Sequence, residues 1–495
     1  MLDSRYVPLF IVGFLLYIGF MIMVGILSTK GKTSGSNFLT GGSNLGFFLI
    51  FCTVGATMIG TGSSMGAIGN GFNHGWGGAI YGLGASTGIL SMLMFVNIRE
   101  KNFITMSEEA QYYYGGKKIV RQVMGFMMFV IEIIWLGNHM NGGSKYLAYI
   151  TGLDDVLCKL ITVLAFAVYV FIGGYLAVVV TDAVQFCVII AGFALIAVRA
   201  IPAAGGYAKI AETFDAAGKS GAMGFYGVGS YGLMAAFALV LSTYMGVIGT
   251  PTHRTRIYTS ADKGTAKKAF LSSGIMLFFW SFVTAVIGMS AFAIATEQGV
   301  TLESADYAFS FMATHVLGPV FGLVLMIAGL SATMSSGDSD AISGITILLT
   351  DVYPSVTGKK IKEEDYPKYS RIALVVTLAI AFLITLFVND VITYIQKVVG
   401  SLLPGVAVCM FMGRFWKRAT WQGGLACIFS GTAFGLLYLL IPSVSGWVDA
   451  NLGGAAVPAT IITLVFGVIV SLVTPADTTP ETERVKAVFD ARLGE

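Results

Sequence analysis

Charge is what this sequence most lacks. Only 30 Lys and Arg and 27 Asp and Glu are spread through 495 residues, 12% in all, and the formal net charge is +3. The basic residues are dispersed among short loops, so no stripe suited to a phosphate backbone exists and nucleic-acid binding is set aside. Histidine is scarcer still. None of the four (His74, His139, His253, His315) is spaced from a Cys, Ser or carboxylate in a catalytic or metal-binding pattern, which makes an enzyme the least expected class. The five cysteines (Cys52, Cys158, Cys187, Cys409, Cys427) show no metal-type spacing and sit mostly in apolar runs, so they read as small buried hydrophobes, not as a disulfide framework.

What is abundant is hydrocarbon: 56% of the residues are hydrophobic. That composition in a chain of this length describes an integral membrane protein. A bilayer core of ~30 Å takes about 20 apolar residues per helical crossing. Apolar segments fall near 7–27, 46–68, 77–97, 120–148, 157–173, 176–198, 229–250, 268–295, 318–350, 369–388, 391–412, 421–441 and 457–473, which predicts about thirteen transmembrane helices in one bundle. Val7 to Leu27 lacks a basic flank and a small-residue cleavage site, so it reads as a retained helix and not a signal peptide. Lys and Arg accumulate in cytoplasmic loops. Alternate loops carry two at Lys30 and Lys32, five from Arg99 to Arg121, five from Arg254 to Lys268, five from Lys359 to Arg371, three from Arg414 to Arg418 and three in the tail, 23 of the 30. The N-terminus is therefore expected outside and the C-terminus inside. The segment from Ile201 to Tyr226 reads as an external loop with a short interfacial helix around Ile210 to Phe214. The tail after Pro475 reads as a cytoplasmic helix or a frayed end, too short for a signalling domain.

Glycine punctuates two crossings. The second holds GATMIGTGSSMGAIGNG (Gly55 to Gly71), and the seventh holds Gly246, Gly249 and then Pro251. They stand five crossings apart, and Gly-interrupted helices at matching positions of two halves point to an inverted-repeat transporter with its site at the bilayer midplane. Ionisable groups inside membrane helices are costly and mark sites by default; here they are Glu132, Lys145, Asp182, Asp338, Asp340 and Lys397. Ala332, Ser335, Ser336 and Ser339 are spaced by three and four, which stacks them on one helix face. A carbonyl and two or three hydroxyls there offer hard neutral oxygens of the kind sodium takes. Free carbonyls of an unwound helix around Ala56 and Ile59 would complete the shell.

The stretches IGGYLAVVVTDAVQF (172–186), GTPTHRTRIYTSADKGTAKKAF (249–270) and Ala332 to Tyr353, together with the broken 53–71 segment, resemble the sodium/solute symporter family, whose members carry sugars, proline, sialic acid, pantothenate, choline and monocarboxylates. The resemblance spans Asn44 to Gly413. It implies a LeuT-like 5+5 inverted-repeat bundle, all α: an extra first helix and loop (1–43), a first repeat (44–200), an extracellular loop (201–227), a second repeat (228–413), two additional helices (414–475) and a cytoplasmic tail (476–495). It implies a Na+ site formed by the carbonyls of Ala56, Ile59 and Ala332 and the hydroxyls of Ser335 and Ser336. It also implies that Asp182 serves a second cation in some members, beside Ser339, while Asp338 stands at a position variable among relatives, where a carboxylate adds sodium affinity, responds to protons or contacts a cationic solute.

Solute is expected between the unwound helices and the fourth crossing, where Trp135 and His139 share a face and Asn138 and Asn141 lie nearby; Ser63, Ser64, Thr243 and Tyr244 complete the set. Sugar-stacking aromatics and a guanidinium for sialate are not apparent at matching positions, and Met58 stands where a choline carrier would offer an aromatic. The expected protein is thus a sodium-coupled symporter of a small organic solute, working by alternating access as a monomer or weak homo-oligomer in a plasma membrane of bacterial inner-membrane type. Two other classes remain: a proton-coupled carrier of the same fold using Asp182 or Asp338, and a transporter-like membrane sensor.

Overall fold

The computed structural model describes residues 5–29, 37–386 and 390–493; Lys30 and Lys32, part of the charge count above, lie outside them. Among the described residues every regular element is helical, with one isolated bridge between Leu45 and Ser260. The elements used below are α1 (Val7–Thr29), α2 (Phe47–Met58), α3 (Ala67–His74), α4 (Ile80–Ser91), α5 (Met106–Tyr113), α6 (Lys118–Thr151), α7 (Asp155–Ala203), α8 (Leu233–Gly249), α9 (Pro251–Thr259), α10 (Lys263–Glu297), α11 (Pro319–Ile347), α12 (Tyr366–Thr385), α13 (Gly400–Phe415), α14 (Trp421–Leu440), α15 (Ala456–Val473) and α16 (Glu481–Leu493).

Backbone polar groups in hydrocarbon must be satisfied within the chain, which is why an apolar sequence of this kind resolves into helices. The helices start where side chains can hold the first free N–H groups: Asp154, Asp262 and Thr420 each accept from the opening turn of α7, α10 and α14. Leu15, Leu16, Val198 and Phe279 face outward, as lipid contact requires. At the centre stands α11, packed against α6 and α7 and touched by α2, α9 and α12. From Ser331 through Ile347 every residue of it is buried, including Asp338, Ser339 and Asp340.

Among the described residues ten helices are long and apolar enough to cross a membrane, or eleven if the pair bent by 120° at Gly232 counts as one span. The thirteen sequence segments exceed that number because some crossings are interrupted. α2 has only 12 residues, short of the ~20 a span needs by itself, and α7 is two helices joined at Gly174, whose φ of +60° leaves the helical region. The short helix Tyr207–Ala216 buries Ile210 and Phe214, and the segment after Pro475 forms α16, which packs on α5.

Two interruptions place the site. α2 stops at Met58 because Ile59 leaves the helix (φ −85°, ψ +55°); Thr61 follows, and the chain re-enters through a π-helical turn at Gly62–Gly66 before α3. α8 ends at Gly249, Thr250 is extended (φ −92°, ψ +122°), and Pro251 opens α9, where its missing N–H costs nothing. The glycines act by close approach as well as by freedom. A Cβ on Gly60 would lie 2.4 Å from Ser336 Oγ and 2.8 Å from His139 Cε1, whereas Gly246 and Gly249 admit Val399 and Leu403 of the neighbouring segment.

Candidate functional site

α11 faces the break in α2 with hydroxyls. Ser335 Oγ donates to the Ala56 carbonyl at 3.0 Å and lies 3.3 Å from the Ala332 carbonyl of its own helix. Ser336 Oγ lies 2.8 Å from the Thr57 carbonyl, 3.2 Å from Ala332 O and 3.5 Å from Ala56 O. In each case the shortest contact is one across to α2, so these serines bridge two helices. Two hydroxyl hydrogens therefore face three carbonyl oxygens in five contacts. That surplus of neutral, hard oxygen is chemistry that fits a monovalent metal ion. Ile59, the remaining residue implied for the shell, ends α2 and is fully buried.

One turn beyond, the structure places a side chain where a second cation was expected. The Arg256 Nη2 of α9 donates to Ser339 Oγ (2.5 Å), Thr53 Oγ1 (3.0 Å) and Thr57 Oγ1 (3.0 Å), and lies 3.5 Å from Asp182 Oδ2. Asp182 Oδ2 also accepts from Thr53 (2.5 Å) and Ser339 (3.2 Å). Both partners are fully buried. The guanidinium thus carries the positive charge that a second ion would bring to Asp182 and Ser339. Asp338 points elsewhere: it is buried, and neither carboxylate oxygen has a hydrogen-bond partner among the described residues.

A third group of side chains surrounds a central cavity of about 30 Å³, lined by Thr57, Met58, Gly60, Gly62, Tyr81, Trp135, His139, Thr243, Val247, Thr250, His253 and Asp340. It joins both helix breaks to α6. Trp135 and His139 stack at 6.2 Å with a 17° interplanar angle, and Trp135 Nε1 donates to Thr250 Oγ1 at 2.8 Å. His139 Nδ1 accepts from the Thr61 N–H (3.5 Å) and lies 3.0 Å from Thr61 Oγ1, while Nε2 lies 3.2 Å from Asp340 Oδ2. Behind the cavity wall, Glu132 Oε1 accepts from Thr252 N–H (3.0 Å), Thr252 Oγ1 (2.7 Å) and Ser343 Oγ (2.7 Å).

Of the solute-facing residues expected from the sequence, Trp135, His139 and Thr243 line this cavity. Ser63 and Ser64 do not; their hydroxyls return to the Met58 and Gly60 carbonyls freed by the break. Tyr244 faces away from it, bonded to Ser91 Oγ at 3.1 Å and stacked on Phe411 at 6.3 Å. Asn138 is buried off the cavity, its amide without a partner among the described residues. Sequence reasoning did not name Tyr81, Thr250 or His253 as lining residues, and it listed Asp340 only among the charges inside the membrane. Lys145, read as a charge inside the membrane, lies 5.5 Å from the Tyr307 ring centroid.

A multi-pass helical bundle interrupted at two facing positions, with an oxygen-lined gap between them, is the build of a secondary transporter. The chain belongs to the sodium:solute symporter family, whose model matches residues 38–431. It is 24% identical to the osmoregulated proline transporter OpuE of Bacillus subtilis over 479 residues (94% of each chain), and 24% identical to the sodium/pantothenate symporter of Haemophilus influenzae over 442 residues (85% of this chain, 88% of the relative). Its fold is similar to that of a Na+-coupled sialic acid symporter in a substrate-bound outward-open state (TM-score 0.75, 15% identity, 95% of this chain and 99% of that one). It is also similar to a nucleobase-cation-symport-1 family transporter in a closed conformation (TM-score 0.58, 12% identity, 92% and 99%). These neighbours are LeuT-fold symporters. The family and its relatives are transporters, not enzymes, and the chain is a multi-pass membrane protein typical of the bacterial inner membrane.

Proposed function

We propose that the protein is a sodium-driven importer of a small organic solute that works by alternating access, with one Na+ held by the carbonyls of Ala56, Ile59 and Ala332 and the hydroxyls of Ser335 and Ser336. The observation that carries the reading is the hydroxyl bridge from Ser335 and Ser336 to Ala56 and Thr57 at the point where α2 breaks. An ion there ties the first repeat to α11, so sodium favours the form in which the two are joined, and solute bound in the adjacent cavity raises sodium affinity in return. One charge crossing 100 mV is worth ~2.3 kcal/mol, and a tenfold sodium gradient adds ~1.4 kcal/mol. The ~3.7 kcal/mol total supports accumulation of a neutral solute on the order of several hundredfold. Asp182, Ser339 and Asp338 are left outside the shell, the first two because Arg256 already holds them. The thirteen crossings, the external N-terminus and the repeat boundaries belong to the same reading.

The test is sodium-dependent thermal stabilisation of the purified protein, with potassium as control. Ser336→Ala is expected to raise the half-saturating sodium concentration at least ~tenfold, the loss of about one good ligand, in a protein that still folds. Unchanged sodium dependence removes Ser336 from the site.

A further inference from the structure

The central cavity has one acid in its wall and no lysine or arginine among its lining residues. The acid is Asp340, and its hydrogen bonds are incomplete. A carboxylate has about four lone-pair positions. Asp340 Oδ2 has His139 Nε2 beside it at 3.2 Å. Asp340 Oδ1 has only the Thr252 hydroxyl at 2.9 Å, and that hydroxyl has a single hydrogen, for which Glu132 Oε1 competes from 2.7 Å. One hydroxyl hydrogen thus serves two buried acids that also lie within hydrogen-bonding reach of each other, so the Glu132–Asp340 pair has fewer donors than acceptor positions. Burying an acceptor in this condition is costly, and the cost is removed by a ligand that brings N–H groups to it.

The surroundings favour a cation as that ligand. The neighbouring cation, Arg256, is committed on the far side of Thr57 to Asp182, Ser339 and Thr53, and its Nη1 donates to the Thr252 carbonyl at 3.1 Å. It neutralises Asp182 and sends no donor into the cavity. The walls around Asp340 include the Tyr81 and Trp135 rings, whose faces attract positive charge. At about 30 Å³ the space takes one or two waters. This form therefore fits a compact head group, and the rest of a solute waits on opening of the bundle.

We propose that the transported solute carries a protonated primary or secondary amine and that Asp340 receives it, opposite the Tyr81 and Trp135 rings. The inference rests on the reading of the central cavity as the solute site. It makes Asp340 the residue that sets specificity, with His139 as a positioning residue: its imidazole holds Oδ2, and Thr61 fixes its tautomer. The N–H donors of such an amine complete the carboxylate's hydrogen bonds, which a quaternary ammonium cannot do.

Four probes of one shape test it by thermal shift of the purified full-length protein in sodium: cyclopentylamine, cyclopentyltrimethylammonium, cyclopentanol and cyclopentanecarboxylate. Cyclopentylamine alone is expected to stabilise the wild type. Asp340→Asn is expected to weaken that response at least tenfold, and Asp340→Glu to retain the preference for the amine. Stabilisation by the carboxylate in place of the amine, which would point to His253, overturns the proposal. So does an equal response to the quaternary probe, an amine response that survives in Asp340→Asn, or no response to the amine at all. Should Asp340→Asn fail to fold, the four-probe comparison in the wild type still decides. Stabilisation by sodium without any probe is recorded in the same series. Its absence counts against the sodium reading and leaves the ranking of the four probes to judge this one.

Discussion

Removing the Arg492 side chain tests how one face of the bundle is closed. Arg492 projects from α16 onto Glu108 of α5: its Nε donates to Oε1 at 2.9 Å, its Nη2 contacts Oε2, and Nη2 also reaches the Asn102 carbonyl at 3.2 Å. Glu108 is buried, receives Ile104 N–H at 2.9 Å and is ion-paired with Arg121 Nη2 at 3.1 Å; Arg121 in turn holds Asp351, in the turn after α11, at 2.8 Å. The tail helix therefore caps a junction between α5, the start of α6 and the exit of α11, elements that the proposed repeats assign to opposite halves. Hydrogen bonds to charged groups contribute about 1.5–3 kcal/mol each. Arg492 is a quarter exposed and Glu108 keeps Arg121, so the loss in Arg492→Ala is set near the lower end, ~2 kcal/mol, or ~30-fold in an opening equilibrium. Hydrogen exchange of the purified protein, read on peptides covering 481–493, is expected to show protection falling by that factor while α6 and α11 keep theirs. Unchanged protection, or a loss confined to the last few residues, refutes the argument. The same contact has a pH sign. Burial pushes Glu108 up, but the Arg121 charge and then the Arg492 hydrogen bond and charge outweigh it and hold the carboxyl below its ordinary range. A carboxyl depressed on folding stabilises fully above its unfolded value of about 4.3 and loses that contribution as pH falls through the lower folded value. After correction for intrinsic exchange, wild-type protection of α16 is thus expected to be level from neutral pH to about that value and to fall only below it.

Two further substitutions probe the break in α2 and its neighbour. Gly60→Ala places a Cβ 2.4 Å from Ser336 Oγ; overpacking of this kind costs ~1–3 kcal/mol, and the displaced hydroxyl is expected to raise half-saturating sodium at least as far as Ser336→Ala does, whereas an unshifted sodium titration would show the serine free to turn away. Arg256→Gln leaves Asp182 buried without its cation, an arrangement that costs ~3–5 kcal/mol; a lower melting temperature in sodium-free buffer, partly restored by adding sodium or lithium, is expected, and an unchanged melt would mean that the guanidinium does not neutralise Asp182.

The features legible in the sequence were those written in local pattern. The long apolar stretches fall on helices because each is fixed by its own composition. The break at Ile59 and the bridge from Ser335 and Ser336 were visible because the glycine run lies within one short stretch and the serines within one helical turn. The crossing count was harder, since a broken helix such as α2 has the hydropathy of a span without its length. Tyr81, Thr250 and His253 carry no signal of their own; they reach the cavity only because α4, α8 and α9 meet there. Tyr244 was misplaced by one residue of helical rotation, which turns it from Thr243's face toward Phe411.

Arg256 shows why charge is the least transferable part of such a reading. The sequence presents Asp182 and Ser339 as oxygen donors at family positions, and a list of donors reads as an ion site. Whether it is one depends on what else the fold brings within about 4 Å, and here α9 starts at Pro251 one helical turn before Arg256, at a pitch that carries the guanidinium between Thr53, Thr57 and Ser339. The same turn carries Thr252 to Glu132 and Asp340. A single break therefore does two things at once: it brings a guanidinium to Asp182 from within the chain, and it divides one hydroxyl hydrogen between two acids, Glu132 and Asp340. On the two readings proposed above, the positive charge taken from outside goes to the two places α9 does not supply, among the carbonyls at Ala56 and at Asp340.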